Sequence, residues 1–249
     1  MQTVIPTTSK AIASLLRADF TTQWRNRRGV VLIVLVPVII LISWKGFVAI
    51  YGGPFVLSNC ITVGLTAIGL MGYPNSIARD RDKGIFQRLR VAPLSSWSIM
   101  LSRLLVQLAM ILIVTLAVFI AGFYLDKITV TPAGYVLSAF AAIIGGALYL
   151  SIGQMIVGLI KNPETVNATC RLIYFAFIMV GMVGEFILNN ELVKEIVRWS
   201  PYGVVRRIVS ASLRPDLWNM DDTTSLLVSL GYTIVFAILG IKWFKWSNK

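Results

Sequence analysis

The chain contains no histidine and only two cysteines, Cys60 and Cys170, both inside apolar segments. Without imidazole there is no His-ligated metal or haem and no Ser-His or Cys-His nucleophile pair. Two thiols within apolar runs argue against a disulfide framework. Charge is scarce and one-sided: 14% of residues are charged, with 23 Lys and Arg against 11 Asp and Glu, a formal net charge of +12. The basic excess is not interleaved with stacking aromatics on a soluble face, which argues against nucleic acid as a partner. The first residues, MQTVIPTTSKAIASLLRADF, lack the basic start, apolar run and cleavage site of a signal peptide. The first apolar segment is therefore expected to act as the insertion signal.

What is abundant is apolar side chain, at 57% of residues and a mean hydropathy of +0.78. That is outside the range of soluble domains and reads as an all-α integral membrane protein. At roughly 20 residues per crossing, the 249 residues hold about six spans and no large soluble domain. The runs place those spans at 30–50, 55–78, 99–125, 133–160, 166–188 and 225–244, in a single membrane domain covering 1–249. Pro37 lies inside the first span, and Lys45 near its end is placed to snorkel. Tyr51-Gly52-Gly53-Pro54 reads as a tight turn. Gly145-Gly146-Ala147, Gly153 and Gly158 allow close helix approach in the fourth span. The very short turn Lys161-Asn162-Pro163-Glu164 makes the fourth and fifth spans antiparallel neighbours.

Before the spans, residues 9–28 place Ile12, Leu15, Leu16, Phe20 and Trp24 at spacings of three and four among basic residues, the pattern of an amphipathic interfacial helix. Residues 189–224 are too polar to span, yet contain the short apolar patterns LVKEIVRW and VVRRIVSASL. Lys and Arg concentrate in 10–28, 79–103, 161–171 and 242–249, while those of 189–224 are offset by Glu191, Glu195, Asp216, Asp221 and Asp222. By the positive-inside rule both termini and the 79–95 stretch are cytoplasmic.

That stretch, ARDRDKGIFQRLRVAPLSS over 78–96, combines the densest charge in the chain with ordered apolar residues. Ile85, Phe86, Leu89 and Val91 or Ala92 recur at helical spacing among Arg81, Lys83, Arg88 and Arg90, and Pro93 ends the pattern. On amphipathicity alone this fits equally a helix docking on a soluble partner and a plain surface helix.

The order of residues resembles the permease subunits of type-2 ABC exporters. Acidic and basic residues precede Gly84, Leu89 follows five residues later, and Ala92-Pro93-Leu94-Ser95 leads into a helix beginning Ile99-Met100-Leu101-Ser102-Arg103. In that family a Ser/Thr-Pro pair leads into the third span, and the preceding segment is the coupling helix that contacts the ATP-binding subunit. The resemblance extends to the surface helix, the six spans and the Trp199-Ser200-Pro201-Tyr202 region, where the family has short external re-entrant helices. Asp80 or Asp82 stands where a glutamate is usual, Ile85 where threonine is common, and Gln87 where a second acid often lies.

The resemblance implies ATPase-coupling roles for Arg81, Lys83, Gly84, Ile85, Phe86, Arg88, Leu89 and Pro93. It also implies a dimer, of two copies or of this chain and a relative, around a central path in membrane lipid. No G-x-x-x-x-G-K-[ST] loop occurs, so no enzyme activity is expected on this chain, and ATP and Mg belong to a partner ATPase. The second and fifth spans line the path in that family, which raises Asn59, Thr62, Phe175, Met179 and Met182. Glu185, near the outer end of the fifth span, is placed to meet a cationic substrate or to be hydrated. Each of these has an ordinary packing role as its alternative. Compatible substrates are a drug-like amphiphile, a lipid, a glycan carrier or an antimicrobial peptide. The competing reading, an ion-coupled secondary transporter or channel, calls for acids deep in the spans, and only Glu185 comes near that. An intramembrane enzyme is disfavoured by the missing histidine and paired carboxylates, and a membrane anchor or assembly role stays open.

Overall fold

A computed structural model of the chain describes residues 8–87, 96–183 and 191–244, and their regular structure is entirely helical. Helix α1, Thr8–Arg25, is followed by α2, Arg27–Ser43, with a bend of 63° where the two meet. The Trp44 amide bonds both the Ile40 and Leu41 carbonyls, closing α2, and α3, Lys45–Tyr51, begins at once. The apolar stretch 30–50 is thus two helices rather than one. At 17 residues α2 spans about 26 Å, slightly short of a bilayer core.

Gly52 turns the chain with φ +85°, a conformation that favours glycine. Then α4, Gly53–Thr66, a π-helical stretch Ala67–Gly72 and α5, Tyr73–Asp82, form one rod of 30 residues. Pro74 explains the π stretch. It has no N–H and its ring would clash with the carbonyl four residues back, and the bonding slips by one so that Tyr73 N–H reaches the Ile68 carbonyl.

Helix α6, Ser96–Asp126, carries charge only at Arg103 and its terminal Asp126. Thr131 caps α7, Pro132–Leu159, accepting from Gly134 N–H at 3.1 Å. Asn162 caps α8, Pro163–Ile178, accepting from the amides of Glu164 and Thr165 at 2.8 and 3.2 Å, and a π turn, Met179–Val183, extends that helix. Two short helices follow, α9, Glu191–Trp199, and α10, Pro201–Ser212, and then α11, Met220–Trp243, opened by an Asn219/Asp222 capping box. Among the described residues five helices are long and apolar enough to cross a membrane, or six if α1 and α2 count as one bent segment.

The α4–α5 rod and α7 form the centre, while α8 and α11 are mostly exposed on the rim. The centre is tight because backbones touch there. A Cβ on Gly153 would strike the Gly69 carbonyl and reach Pro74 Cγ at 3.2 Å. Helix α10 spans only about 18 Å, too short to cross, yet Tyr202, Val204, Val205, Ile208 and Val209 are fully buried against α4, α7 and α11. Along α1, Leu15 and Asp19 are half-buried and face α6, whereas Phe20 and Trp24 stack on one another 6.0 Å apart on its exposed side.

Candidate functional site

At the foot of the bundle, where α5, α7 and α11 end and α6 begins, five polar or charged side chains tie the elements together. Helix α5 stops because Gly84 takes φ +67°, letting its N–H bond the Arg81 carbonyl at 3.1 Å while Lys83 N–H bonds Arg79 at 3.0 Å. This is a left-handed helix stop, and it lies at the glycine of the charged stretch. A new helical turn begins at 85–87.

Arg81 is buried and turns inward. It donates to the carbonyls of Val157 at 2.8 Å, Ile160 at 2.6 Å and Lys161 at 2.9 Å, the last of α7 and the turn beyond it. A cation at a helix C-terminus satisfies orphan carbonyls and meets the negative end of the helix dipole, which is how a buried guanidinium is tolerated here. Phe86 is also fully buried. Its ring meets Phe244, just past α11, edge-on at 6.2 Å, and the Arg103 guanidinium lies 5.2 Å over it.

Arg103 links three elements. It pairs with Asp80 of α5 and, at 3.8 Å, with Asp19 of α1, while Ser102 Oγ donates to Asp19 Oδ2 at 2.7 Å. The Arg103 side chain is 12% exposed and the two acids 19% and 20%, so the cluster is shielded from the screening that weakens surface pairs. A force applied after Lys83 reaches α5 directly, α7 through Arg81, the end of α11 through Phe86, and α6 and α1 through Arg103.

Of the residues expected to couple to an ATPase, Arg81 and Phe86 turn their side chains inward and are packed at the foot. Lys83 is exposed, Gly84 shapes the turn, and Ile85 is half-buried beside Asp19 and Asp80. Arg88, Leu89 and Pro93 lie outside the described residues. The residues missed from sequence are Asp19, Ser102 and Arg103. Their signal was isolation: Asp19 is the lone acid of α1, and Arg103 the lone cation in the otherwise apolar α6.

Among the path candidates, Asn59 is fully buried, accepting from Tyr202 Oη at 3.1 Å and donating to the Phe55 carbonyl at 3.0 Å. Thr62 is fully buried too and bonds the Ser58 carbonyl of its own helix at 2.7 Å. Both side chains face packed helices within the chain rather than open space. Phe175 and Met179 are 59% and 55% exposed on the rim of α8, and Met182 is half-buried. Glu185 lies outside the described residues. The Trp199–Tyr202 motif is held by three tyrosines, since Tyr149 Oη reaches the Pro201 carbonyl at 3.3 Å and Tyr232 Oη the Trp199 carbonyl at 3.0 Å, besides the Tyr202–Asn59 bond.

Residues 42–242 match the sequence model of a family described as ABC-2 family transporter protein. No curated protein matches the chain. The match takes in Arg81, Phe86 and Arg103 of the foot, the buried short helix α10 and, to within one residue, the five long apolar helices among the described residues. With most of its length matched, this multi-pass membrane protein belongs to the ABC-2 transporter family.

Proposed function

We propose that the chain is the permease subunit of an ATP-driven exporter in the cell membrane, with both termini cytoplasmic. It works as a dimer around a central path, with ATP and Mg bound and hydrolysed on separate ATPase subunits and no enzymatic step on this chain. The 79–95 stretch is its coupling segment, α1 its interfacial helix, α2 with α3 its first span, and α9 with α10 its external re-entrant pair. The cargo is an amphiphile: a drug-like molecule, a lipid, a glycan carrier or an antimicrobial peptide.

The observation that carries this reading is the foot of the bundle. A loop that only held topology needs cations, not a glycine stop followed by a phenylalanine wedged under an arginine. Rooted through Arg81 and Phe86 and tied to Arg103, the described part of the segment, 79–87, bears on five helices. The π stretch above α5 gives the segment a hinge, because its bonding has already departed from the α pattern at Ala67–Gly72. ATPase closure pushing on the segment rocks α5 and α6 against the centre and exchanges inward-facing and outward-facing states.

The test is affinity capture of the tagged chain from its native host in mild detergent. Wild type is compared with a Lys83→Glu, Leu89→Asp variant, which leaves the buried Phe86 in place. Co-purification of a Walker-motif ATPase with wild type and its loss from the variant is the expected result. Absence of an ATPase from both preparations would sink the reading.

A further inference from the structure

Beside the foot, the last turns of α5 and the first turns of α8 enclose a crevice of about 370 Å³ whose polar groups have no described role. Because Arg81 bonds Ile160 and Lys161, α5 ends where α8 begins, and the two run antiparallel along the crevice. From α5 it receives Asn75 and Arg79, four residues apart and on one face. From α8 it receives Glu164, Asn167 and Arg171, at spacings of three and four, also one face.

The inventory of these groups is unbalanced. Arg79 Nε reaches the Asn75 carbonyl at 3.2 Å, but neither Arg79 nor Arg171 has an ion-pair partner among the described residues. Asn167 Oδ1 is buried with no donor. Arg171 stands eight residues past Pro163, about 12 Å along a helix long and apolar enough to cross a membrane. Both guanidiniums are exposed along the crevice, where they are open to an anion, and the buried amide oxygen requires a donor.

We propose that this crevice binds the headgroup of a phospholipid, with the phosphate held by Arg79 and Arg171. A hydroxyl or primary amine of the headgroup donates to Asn167 Oδ1, with Glu164 at the same face favouring an amine. Phosphatidylethanolamine and phosphatidylglycerol carry both a phosphate and such a donor, phosphatidylcholine has the phosphate without the donor, and diacylglycerol has neither. The proposal needs no nucleotide or ATPase, so it stands or falls apart from the exporter reading.

The experiment is lipid titration of the purified full chain in detergent, read by native mass spectrometry. The lipids are dioleoyl forms of phosphatidylethanolamine, phosphatidylglycerol, phosphatidylcholine and diacylglycerol. Two charge-assisted contacts predict that wild type binds the first two at least about tenfold tighter than diacylglycerol. That preference falls to about twofold or less in Arg79→Gln, Arg171→Gln. The gap between phosphatidylethanolamine and phosphatidylcholine closes in Asn167→Leu, and an exposed control, Arg25→Gln, changes nothing. Diacylglycerol binding, unchanged in every variant, reports that the helices remain folded. Equal binding of phospholipid and diacylglycerol to wild type, or a preference that survives the double substitution, overturns the proposal. Displacement of bound phospholipid by millimolar inorganic phosphate would assign the site to the free ion and overturn the lipid source.

Discussion

Replacing Arg81 by methionine keeps most of an aliphatic stem and removes the guanidinium that closes the end of α7. Three carbonyls lose their donor: Val157, Ile160 and Lys161, now bonded at 2.8, 2.6 and 2.9 Å. The bond to Val157 is buried, and a buried carbonyl left unpaired costs about 1–3 kcal/mol. The other two lie at a partly buried edge where water recovers much of the bond, so together they add roughly 1 kcal/mol. Removing a buried cation relieves some desolvation and offsets roughly 1 kcal/mol of this. The net expectation is destabilisation of the foot by about 1–3 kcal/mol, or about 5- to 150-fold in its opening equilibrium.

Hydrogen exchange followed by mass spectrometry in detergent reads that change directly. The amides of 156–162 in Arg81→Met should exchange faster by about that factor, while the far end of α7 near Thr131 stays protected. Arg81→Lys should fall between, since a single ammonium cannot span three carbonyls as a planar guanidinium does. Unchanged exchange at 156–162 in the methionine variant, combined with loss of ATPase capture, would refute the reasoning and return Arg81 to a partner-facing role.

Tyr202→Phe leaves Asn59 Oδ1 buried without its donor and should lower stability by about 1–2 kcal/mol in thermal unfolding, and Asn59→Leu added to it should recover most of the loss. No recovery in the double variant would mean that the pair does not interact as described. Gly153→Ala drives a methyl against the Gly69 carbonyl and Pro74, an overpacking of about 1–3 kcal/mol visible as a lowered unfolding midpoint; unchanged stability would mean that α5 and α7 do not meet so closely. A double-mutant cycle of Arg103→Gln with Asp80→Asn should give a coupling of about 1 kcal/mol or more, above the range of exposed pairs, and zero coupling would exclude the ion pair from holding the foot.

Much of the helical layout was legible in hydropathy, because lipid leaves a backbone few ways to satisfy its own polar groups and a long apolar run becomes a helix. A helix start was legible too at Asn162-Pro163, where the short turn carries cap and first-turn chemistry, whereas the helix stop at Gly84 was not read from the sequence. Trp44 was not, because the break between α2 and α3 falls at an apolar residue inside an apolar run, with Gly46 already past the break and Pro37 well before it.

The direction each charge faces was decided elsewhere. Arg79, Arg81, Lys83, Arg88 and Arg90 are chemically alike in sequence, yet among those described Arg81 alone caps α7, through partners 76 to 80 residues away. Asn59 looked like a path residue until Tyr202, 143 positions later, arrived on a buried short helix to occupy it. Phe86, read as a docking ridge, became an anchor because α6 and the end of α11 converge where the glycine turn delivers it. Composition and periodicity are properties of neighbours along the chain, and they determined a membrane-embedded helical protein with one unusual charged loop. Which side chains meet depends on the rotational phase and end-to-end alignment of packed rods. Those are set by contacts between segments far apart in sequence, such as the glycine crossing at 69 and 153, so only the tertiary structure decided them.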